Sequence, residues 1–366
     1  MKLAIQKNEL RDAIANVQNI VSARSTLPML QYVLLSAGKD SLKLVATDLE
    51  VGIECVVRCE EVSEEGTVTL PCKKLHEVVN NLPAGAVNIS LSDGNVVALN
   101  SGVVRYKLMG MAPEEFPKSP EVNREKTFSM PQVALKEMLR KVSFSISTDP
   151  NRVNITGLLL VLVGKQLRLV STDGRRLSMG SLDIENAPDE VGSYIIPRKT
   201  VMELERLLGT DGEVSVFLSA NQMAFEFGNI LMISNLIDGA FPNYEQVIPQ
   251  NYEKEVVAEI GPFTVATQRA SVMTTDRYNL VKYEISKNKM VVTTNCPEVG
   301  ELKDELEVEY NGDSLEVGFN PTFMLDALKV IDEEKVKMKL KDAQSSGLLV
   351  PDGNDSYLYV VMPVRL

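Results

Sequence analysis

The sequence predicts an α+β fold made of three tandem copies of one unit about 120 residues long. Three observations carry this. Helix-like runs recur at a near-constant offset, proline-marked second helices recur with them, and period-two apolar runs fill the space between.

In copy one, Leu10-Arg11-Asp12-Ala13-Ile14 precedes the strand Leu42-Lys43-Leu44-Val45-Ala46-Thr47, which ends at Asp48. In copy two, Leu135-Lys136-Glu137-Met138-Leu139 precedes Leu167-Arg168-Leu169-Val170-Ser171-Thr172 and Asp173. Copy three is worn, with Phe263-Thr264-Val265-Ala266-Thr267 before Met290-Val291-Val292-Thr293-Thr294-Asn295. Asp48 and Asp173 lie 125 positions apart, and Asp173 and Asn295 lie 122 apart.

Second helices open after Pro71, Pro197 and Pro321, at offsets of 126 and 124. Proline suits a helix start, where its missing N–H would have no partner anyway. The helices are expected over 7–24, 73–82, 132–146, 198–208, 262–277 and 320–331. Ser92-Asp93-Gly94-Asn95 and Tyr310-Asn311-Gly312-Asp313 are turn signals between alternating runs. Glu115-Phe116-Pro117 and Ala240-Phe241-Pro242, again 125 apart, close copies one and two. The domains are therefore expected at 1–124, 125–249 and 250–366. Each reads as helix, strands, helix, strands, with two amphipathic helices over one face of an antiparallel sheet. Open sheet edges in such units call for partners.

The 366 residues are 44% hydrophobic and carry a net charge of −12. No run approaches the ~20 apolar residues of a membrane span, and Met1-Lys2-Leu3-Ala4-Ile5 does not open a signal peptide. Cys55, Cys59, Cys72 and Cys296 lack the paired spacing of a zinc site and fit a reducing compartment. A cytoplasmic protein without metal or cofactor is expected.

The acidic total argues against nucleic acid until the charge is located. The six expected helices hold 14 basic and 8 acidic residues, so the rest of the chain carries the excess of acid. Basic helices attract phosphate without reading sequence, although lysine and arginine also favour helices for propensity alone. Trp is absent and no aromatic ladder accompanies the basic pairs, which argues against a base-stacking platform.

An enzyme would have to use Asp48 with Asp173, or His76, the sole histidine. The Thr-Asp element recurs with the repeat, so a turn-stabilising role fits it better. No phosphate loop, nucleophile elbow or dinucleotide fingerprint is present.

Several segments in register resemble the bacterial DNA polymerase III beta subunit, the sliding clamp. They are Arg24-Ser25-Thr26-Leu27-Pro28, Ala46-Thr47-Asp48-Leu49-Glu50, Thr172-Asp173-Gly174-Arg175-Arg176-Leu177, Ile196-Pro197-Arg198-Lys199, Asp238-Gly239-Ala240-Phe241-Pro242-Asn243-Tyr244, Gly318-Phe319-Asn320 and the tail Tyr359-Val360-Val361-Met362-Pro363-Val364-Arg365-Leu366. The resemblance spans the chain. It implies three clamp domains with inner helices and outer antiparallel sheets, and a head-to-tail homodimer closing a ring around duplex DNA. It implies a non-catalytic processivity factor whose partners are the clamp loader, the replicative polymerase alpha subunit and other proteins carrying a clamp-binding motif. A peptide-binding scaffold that never encircles DNA is the alternative.

The resemblance also implies site residues. A partner-peptide pocket would use Ile155, Thr172, Gly174, Arg175, Arg176, Leu177, Pro242, Val247, Asn320, Phe323, Ser346, Val360 and Met362. Arg175 replaces a common His, so the groove is expected to be more positive and to prefer acidic flanks, and Gln344 stands where an apolar residue is common. DNA contacts would come from Arg24, Lys73, Lys74, Arg152, Arg198, Lys199 and Arg277, with Asp149 weakening its own loop. The ring seam would set Tyr106 and Leu108 against Val272 and Met273, and Arg105 and Lys107 near Glu298, Glu301, Asp304 and Glu305.

Overall fold

A computed structural model describes residues 1–21, 27–118, 120–186 and 192–365. One element order occurs three times, with an additional strand, β5, in copy one. Copy one runs β1 (Lys2–Gln6), α1 (Lys7–Val17), β2 (Tyr32–Ala37), β3 (Ser41–Thr47), β4 (Val51–Arg58), β5 (Glu61–Glu64), β6 (Gly66–Pro71), α2 (Cys72–Asn80), β7 (Ala86–Ser92), β8 (Val96–Ser101) and β9 (Val104–Met109). Copy two runs β10 (Thr127–Pro131), α3 (Gln132–Val142), β11 (Gly157–Val163), β12 (Gln166–Thr172), β13 (Arg176–Asp183), β14 (Gly192–Pro197), α4 (Arg198–Leu207), β15 (Glu213–Leu218), β16 (Gln222–Phe227) and β17 (Ile230–Asn235). Copy three runs β18 (Lys254–Glu259), α5 (Ile260–Ser271), β19 (Val281–Ser286), β20 (Lys289–Cys296), β21 (Gly300–Glu307), β22 (Leu315–Phe319), α6 (Pro321–Val330), β23 (Lys335–Leu340), β24 (Gly347–Pro351) and β25 (Tyr357–Val361).

The helices form where apolar residues recur at helical spacing. In α1, Leu10, Ala13, Ile14 and Val17 are buried, one stripe at i, i+3, i+4 and i+7, packed on β3, β4 and α2. Burying each large apolar side chain contributes ~1.5–3 kcal/mol, so Leu10→Ala would loosen this helix. Asn320 caps α6, its side chain accepting from the Thr322 N–H at 2.9 Å, with Pro321 at the first helical position.

Three helices stop short of the expected ends. After Val17 come Gln18-Asn19-Ile20-Val21, after Val142 a serine-rich 3-10 turn at Ser143–Ser145, and after Ser271 the run Val272-Met273-Thr274-Thr275. Asn, Ser and β-branched residues favour turns or extended backbone over another helical turn.

Among the described residues all strand pairs are antiparallel, and their four sheets do not follow the copies one by one. The order β10-β15-β16-β17-β4-β3-β2-β6 joins strands of copies two and one, and β14-β11-β12-β13-β25-β24-β23-β18 joins copies two and three. Two smaller sheets remain, β5-β1-β7-β8-β9 and β21-β20-β19-β22. Accordingly the chain divides into two compact units, Met1–Val133 with Met202–Leu236, and Ala134–Val201 with Ile237–Leu366. Each holds two whole sheets.

Asp93-Gly94-Asn95 makes the β7–β8 hairpin turn, with Gly94 at φ +72. Tyr310-Asn311-Gly312-Asp313 does not join neighbours. It links β21 and β22, the two edges of their sheet, and the Tyr310 hydroxyl donates to the Asp313 carbonyl at 2.6 Å.

Asn295 is displaced by one position from its expected counterpart. Leu42, Leu44 and Ala46 are buried in β3 as Met290, Val292 and Thr294 are in β20. That alternation aligns Asn295 with Thr47 rather than with Asp48, and the β20–β21 ladder runs on to Cys296 opposite Gly300 where the β3–β4 ladder closes at Thr47 opposite Gly52.

Candidate functional site

The predicted pocket residues all fall in the second unit. Their frame is the β12–β13 turn. Thr172 Oγ1 donates to the Arg176 carbonyl at 2.6 Å and accepts from the Gly174 N–H at 3.0 Å. Asp173 Oδ1 accepts from the N–H groups of Arg175 and Arg176 at 2.9 and 3.1 Å. The Thr-Asp element is thus a turn brace. Gly174 sits at φ +85, and a Cβ there would lie 2.5 Å from an Arg152 nitrogen. The positive φ favours glycine, and any larger residue would have to displace the Arg152 guanidinium.

The floor is apolar. Leu177 pairs directly with Val360 across β13 and β25; both are buried, at 2% and 1% exposure. They belong to a cluster with Leu159, Val170, Ile195, Leu348 and Val350, over which Phe241, Tyr244 and Ile248 pack from the 237–252 strap. Ile155 is also buried, at 2%. Against these closed residues, Val247 and Met362 are each 47% exposed, and Pro242 and Arg175 are exposed. Thr172, Phe323, Ser346 and Asn320 are half-buried.

Hydrogen bonds join the walls. The Met362 N–H donates to the Arg175 carbonyl at 2.9 Å, and the Val364 N–H donates to Gly318 at 2.8 Å. Asn154 Nδ2 donates to the Ala240 carbonyl at 2.9 Å, fixing the strap beside Pro242. A buried floor with exposed, mixed rims suits an extended peptide with apolar anchors.

Arg176 is committed inward. Its Nε is 3.0 Å from Asp173, its Nη1 2.6 Å from Asp326, and Nη2 donates to the Phe144 carbonyl at 2.9 Å. Its guanidinium also stacks over Phe323 at 4.4 Å and Phe144 at 5.3 Å. It ties the turn to α6. Asn320 is likewise spent on capping that helix.

Among the predicted DNA contacts, Arg24 lies outside the described residues. Lys73 and Lys74 are exposed at the start of α2, with Lys74 paired to Glu77; that bond holds the Glu77 carboxyl below its usual range. Arg198 is exposed and Lys199 half-buried at the start of α4. Arg277 is exposed and lies 5.6 Å from the Tyr278 ring. Arg152 is exposed, its Nη1 donating to the Asp173 carbonyl at 2.8 Å beside the β12–β13 turn.

Part of the basic excess of the helices is used within the fold, a use that composition does not reveal. Lys7 donates to the carbonyls of Asn80 and Leu82 at the end of α2. Arg140 and Lys141 pair with Asp332. Arg206 donates to Ala15 and Asn16 carbonyls and pairs with Glu203. Arg269 pairs with Asp304 at 2.9 Å.

The predicted seam residues lie on two edge strands. In the first unit, β9 ends its sheet, with Arg105 and Lys107 exposed, Tyr106 half-buried and Leu108 buried. In the second unit, β21 ends its sheet, with Glu301, Lys303, Glu305 and Glu307 on one face and Leu302, Asp304 and Leu306 on the other. Glu298 is exposed in the preceding turn, Val272 is 73% exposed, and Met273 packs over Gly300 at the start of β21. No helix among the described residues is long and apolar enough to cross a membrane.

The chain is similar to known proteins along its length. Models of the DNA polymerase III beta subunit match residues 1–120 as its N-terminal domain, 129–243 as its central domain and 245–365 as its C-terminal domain. The beta sliding clamp of Pseudomonas aeruginosa is 35% identical, with all of both chains covered. That of Escherichia coli (strain K12) is 33% identical with the same coverage. A crystal structure of the Pseudomonas aeruginosa sliding clamp bound to griselimycin superposes with a TM-score of 0.97 at 35% identity, covering all of both chains. The Bacillus subtilis sliding clamp gives 0.96 at 26% identity, covering all of this chain and 99% of that one.

Proposed function

Because this chain belongs to the DNA polymerase III beta subunit family, with three tandem clamp domains, we propose that it is a sliding clamp that closes head-to-tail with a second copy around duplex DNA. The ring tethers the replicative polymerase and makes or breaks no bond.

One observation carries the closure: strand pairing between successive copies follows a single rule. The last strand of copy two, β17, pairs with β4 of copy one, and the last strand of copy three, β25, pairs with β13 of copy two. The last strand of copy one, β9, and the counterpart of β4 and β13 in copy three, β21, are both edge strands among the described residues. A second chain supplies a partner for each, which satisfies the open backbone groups of both edges. The register carried over from β17–β4 sets Tyr106 opposite Leu302 and Lys107 opposite Glu301. Leu108 then lies at Gly300, beside Val272 and Met273. Arg105 lies diagonal to Glu301 and Glu305, within reach of a charge pair.

Lys73, Lys74, Arg198, Lys199 and Arg277, with Arg24, supply sequence-blind phosphate contacts. Weak contacts suffice, because a closed ring holds DNA by linkage and leaves it free to slide. The Leu177–Val360 groove receives partner peptides, including those of the clamp loader and the polymerase alpha subunit, and Arg175 favours acidic flanks. Tethered partners gain effective concentration at the template without tighter contacts.

The test is retention after loading on nicked circular DNA and on the same DNA linearised. The clamp reading expects retention on the circle and loss from the linear form. Equal loss from both would favour a peptide-binding scaffold.

A further inference from the structure

We propose that the first unit carries a second docking groove, for an extended peptide that bears an apolar anchor beside a lysine or arginine. Its peptide character rests on the reading given above for the Leu177–Val360 groove; its existence rests on separate observations.

The β3–β4 turn repeats the β12–β13 turn bond for bond. Thr47 Oγ1 donates to the Val51 carbonyl and accepts from the Leu49 N–H, each at 3.0 Å. Asp48 Oδ1 accepts from the N–H groups of Glu50 and Val51 at 3.0 and 2.7 Å. The Asn235 N–H donates to the Glu50 carbonyl at 2.9 Å, as that of Met362 does to Arg175. Ile233 pairs with Gly52 as Val360 pairs with Leu177. Pro117 and Val122 stand 125 positions before Pro242 and Val247.

A cavity of about 230 Å³ opens here, lined by Leu49, Glu50, Ile233 and Asn235 among others. Past Glu54, Lys118 and Pro120 it continues into a trough of about 720 Å³ that Leu34, Val45 and Leu231 help to line. Together they fall within the ~300–1,000 Å³ of ligand clefts.

Two departures from the other groove give this one its own chemistry. The residue at the position of Gly174 is Leu49, at φ +78 and 52% exposed. A leucine there is strained, and the strain holds an apolar side chain in water at the groove lip. The residue at the position of Arg175 is Glu50, exposed. Farther along, Lys43 is held by Glu54 at 3.4 Å and Arg124 by Glu226 at 2.8 Å, so two of the trough's cations are already answered. Glu50, Glu114 and Glu121 remain exposed against Lys118. The surplus is acidic, and it selects a cationic peptide where the other groove, with Arg175, selects an acidic one.

The experiment uses the full chain and two fluorescent pentapeptide amides, Ala-Leu-Arg-Leu-Phe and Ala-Leu-Glu-Leu-Phe, with photo-leucine at both leucines. Binding is read by anisotropy and crosslinks are mapped by mass spectrometry. The arginine peptide should crosslink within residues 47–54 and 231–235, and Glu50→Lys should weaken that binding at least tenfold. Leu49→Gly, which relieves the strain and keeps the turn, should weaken it also. Crosslinks of the arginine peptide confined to 240–250 and 346–364, or an unchanged affinity in Glu50→Lys, would overturn the proposal. A missing crosslink of the glutamate peptide at 240–250 would instead count against the peptide reading of the groove in the second unit.

Discussion

Arg176 Nη1 lies 2.6 Å from the Asp326 carboxylate, which binds the β12–β13 turn to α6 at the base of the candidate groove. The arginine side chain is only 10% exposed. Removing Asp326 takes one charge-assisted hydrogen bond from a nearly buried guanidinium that keeps Asp173 as its other carboxylate partner. Asp326→Ala should therefore cost about 2–3 kcal/mol, the range of a hydrogen bond to a charged group, read as a lower urea midpoint. Partner-peptide affinity should fall with it, because the turn carries Arg175 and Leu177.

Gly174→Ala should destabilise the second unit by about 1–2 kcal/mol through its positive φ alone. Its Cβ would also displace the Arg152 guanidinium, 2.5 Å away. Adding Arg152→Ala should recover the steric part and leave the backbone part, so urea unfolding of the two single variants and the double variant would be non-additive.

The proposed seam sets Lys107 against Glu301. Lys107→Glu should raise the dimer dissociation constant by roughly tenfold to a hundredfold, read by analytical ultracentrifugation. Mixing that variant with a Glu301→Lys chain should restore the reversed pair at one of the two seams. No recovery would show that the register is different.

Burial pushes the Cys72 thiol up to about 12 from an ordinary 9.0, and that of Cys59 up to about 11. The folded chain then keeps protons that the unfolded chain releases between those values. Stability should thus be fully present below pH 9 and fall as pH rises through 9 to 12. The urea midpoint should drop across that window, and Cys72→Ala should flatten the drop. At pH 8 an alkylating reagent should label these cysteines only after unfolding, since all four are buried.

Much of this protein is local and therefore legible in its sequence. The threefold order of elements, the proline-marked helix starts and the Thr-Asp turn braces follow from periodicity and from short-range hydrogen bonding, which a few adjacent residues determine. The one-residue slip at Asn295 shows the limit. Positional offsets cannot detect a shifted ladder, whereas the in-and-out alternation of Met290, Val292 and Thr294 does.

Only the tertiary structure decided which copies share sheets, because strand partners far apart in sequence are chosen by fitting edges and burying faces together. It alone separated charges spent within the fold, such as Lys7, Arg140 and Arg206, from those left on the surface, such as Lys73 and Arg198. Composition counts both kinds alike. A side chain's duty depends on what lies within about 4 Å of it, and that distance exists only once the chain has folded.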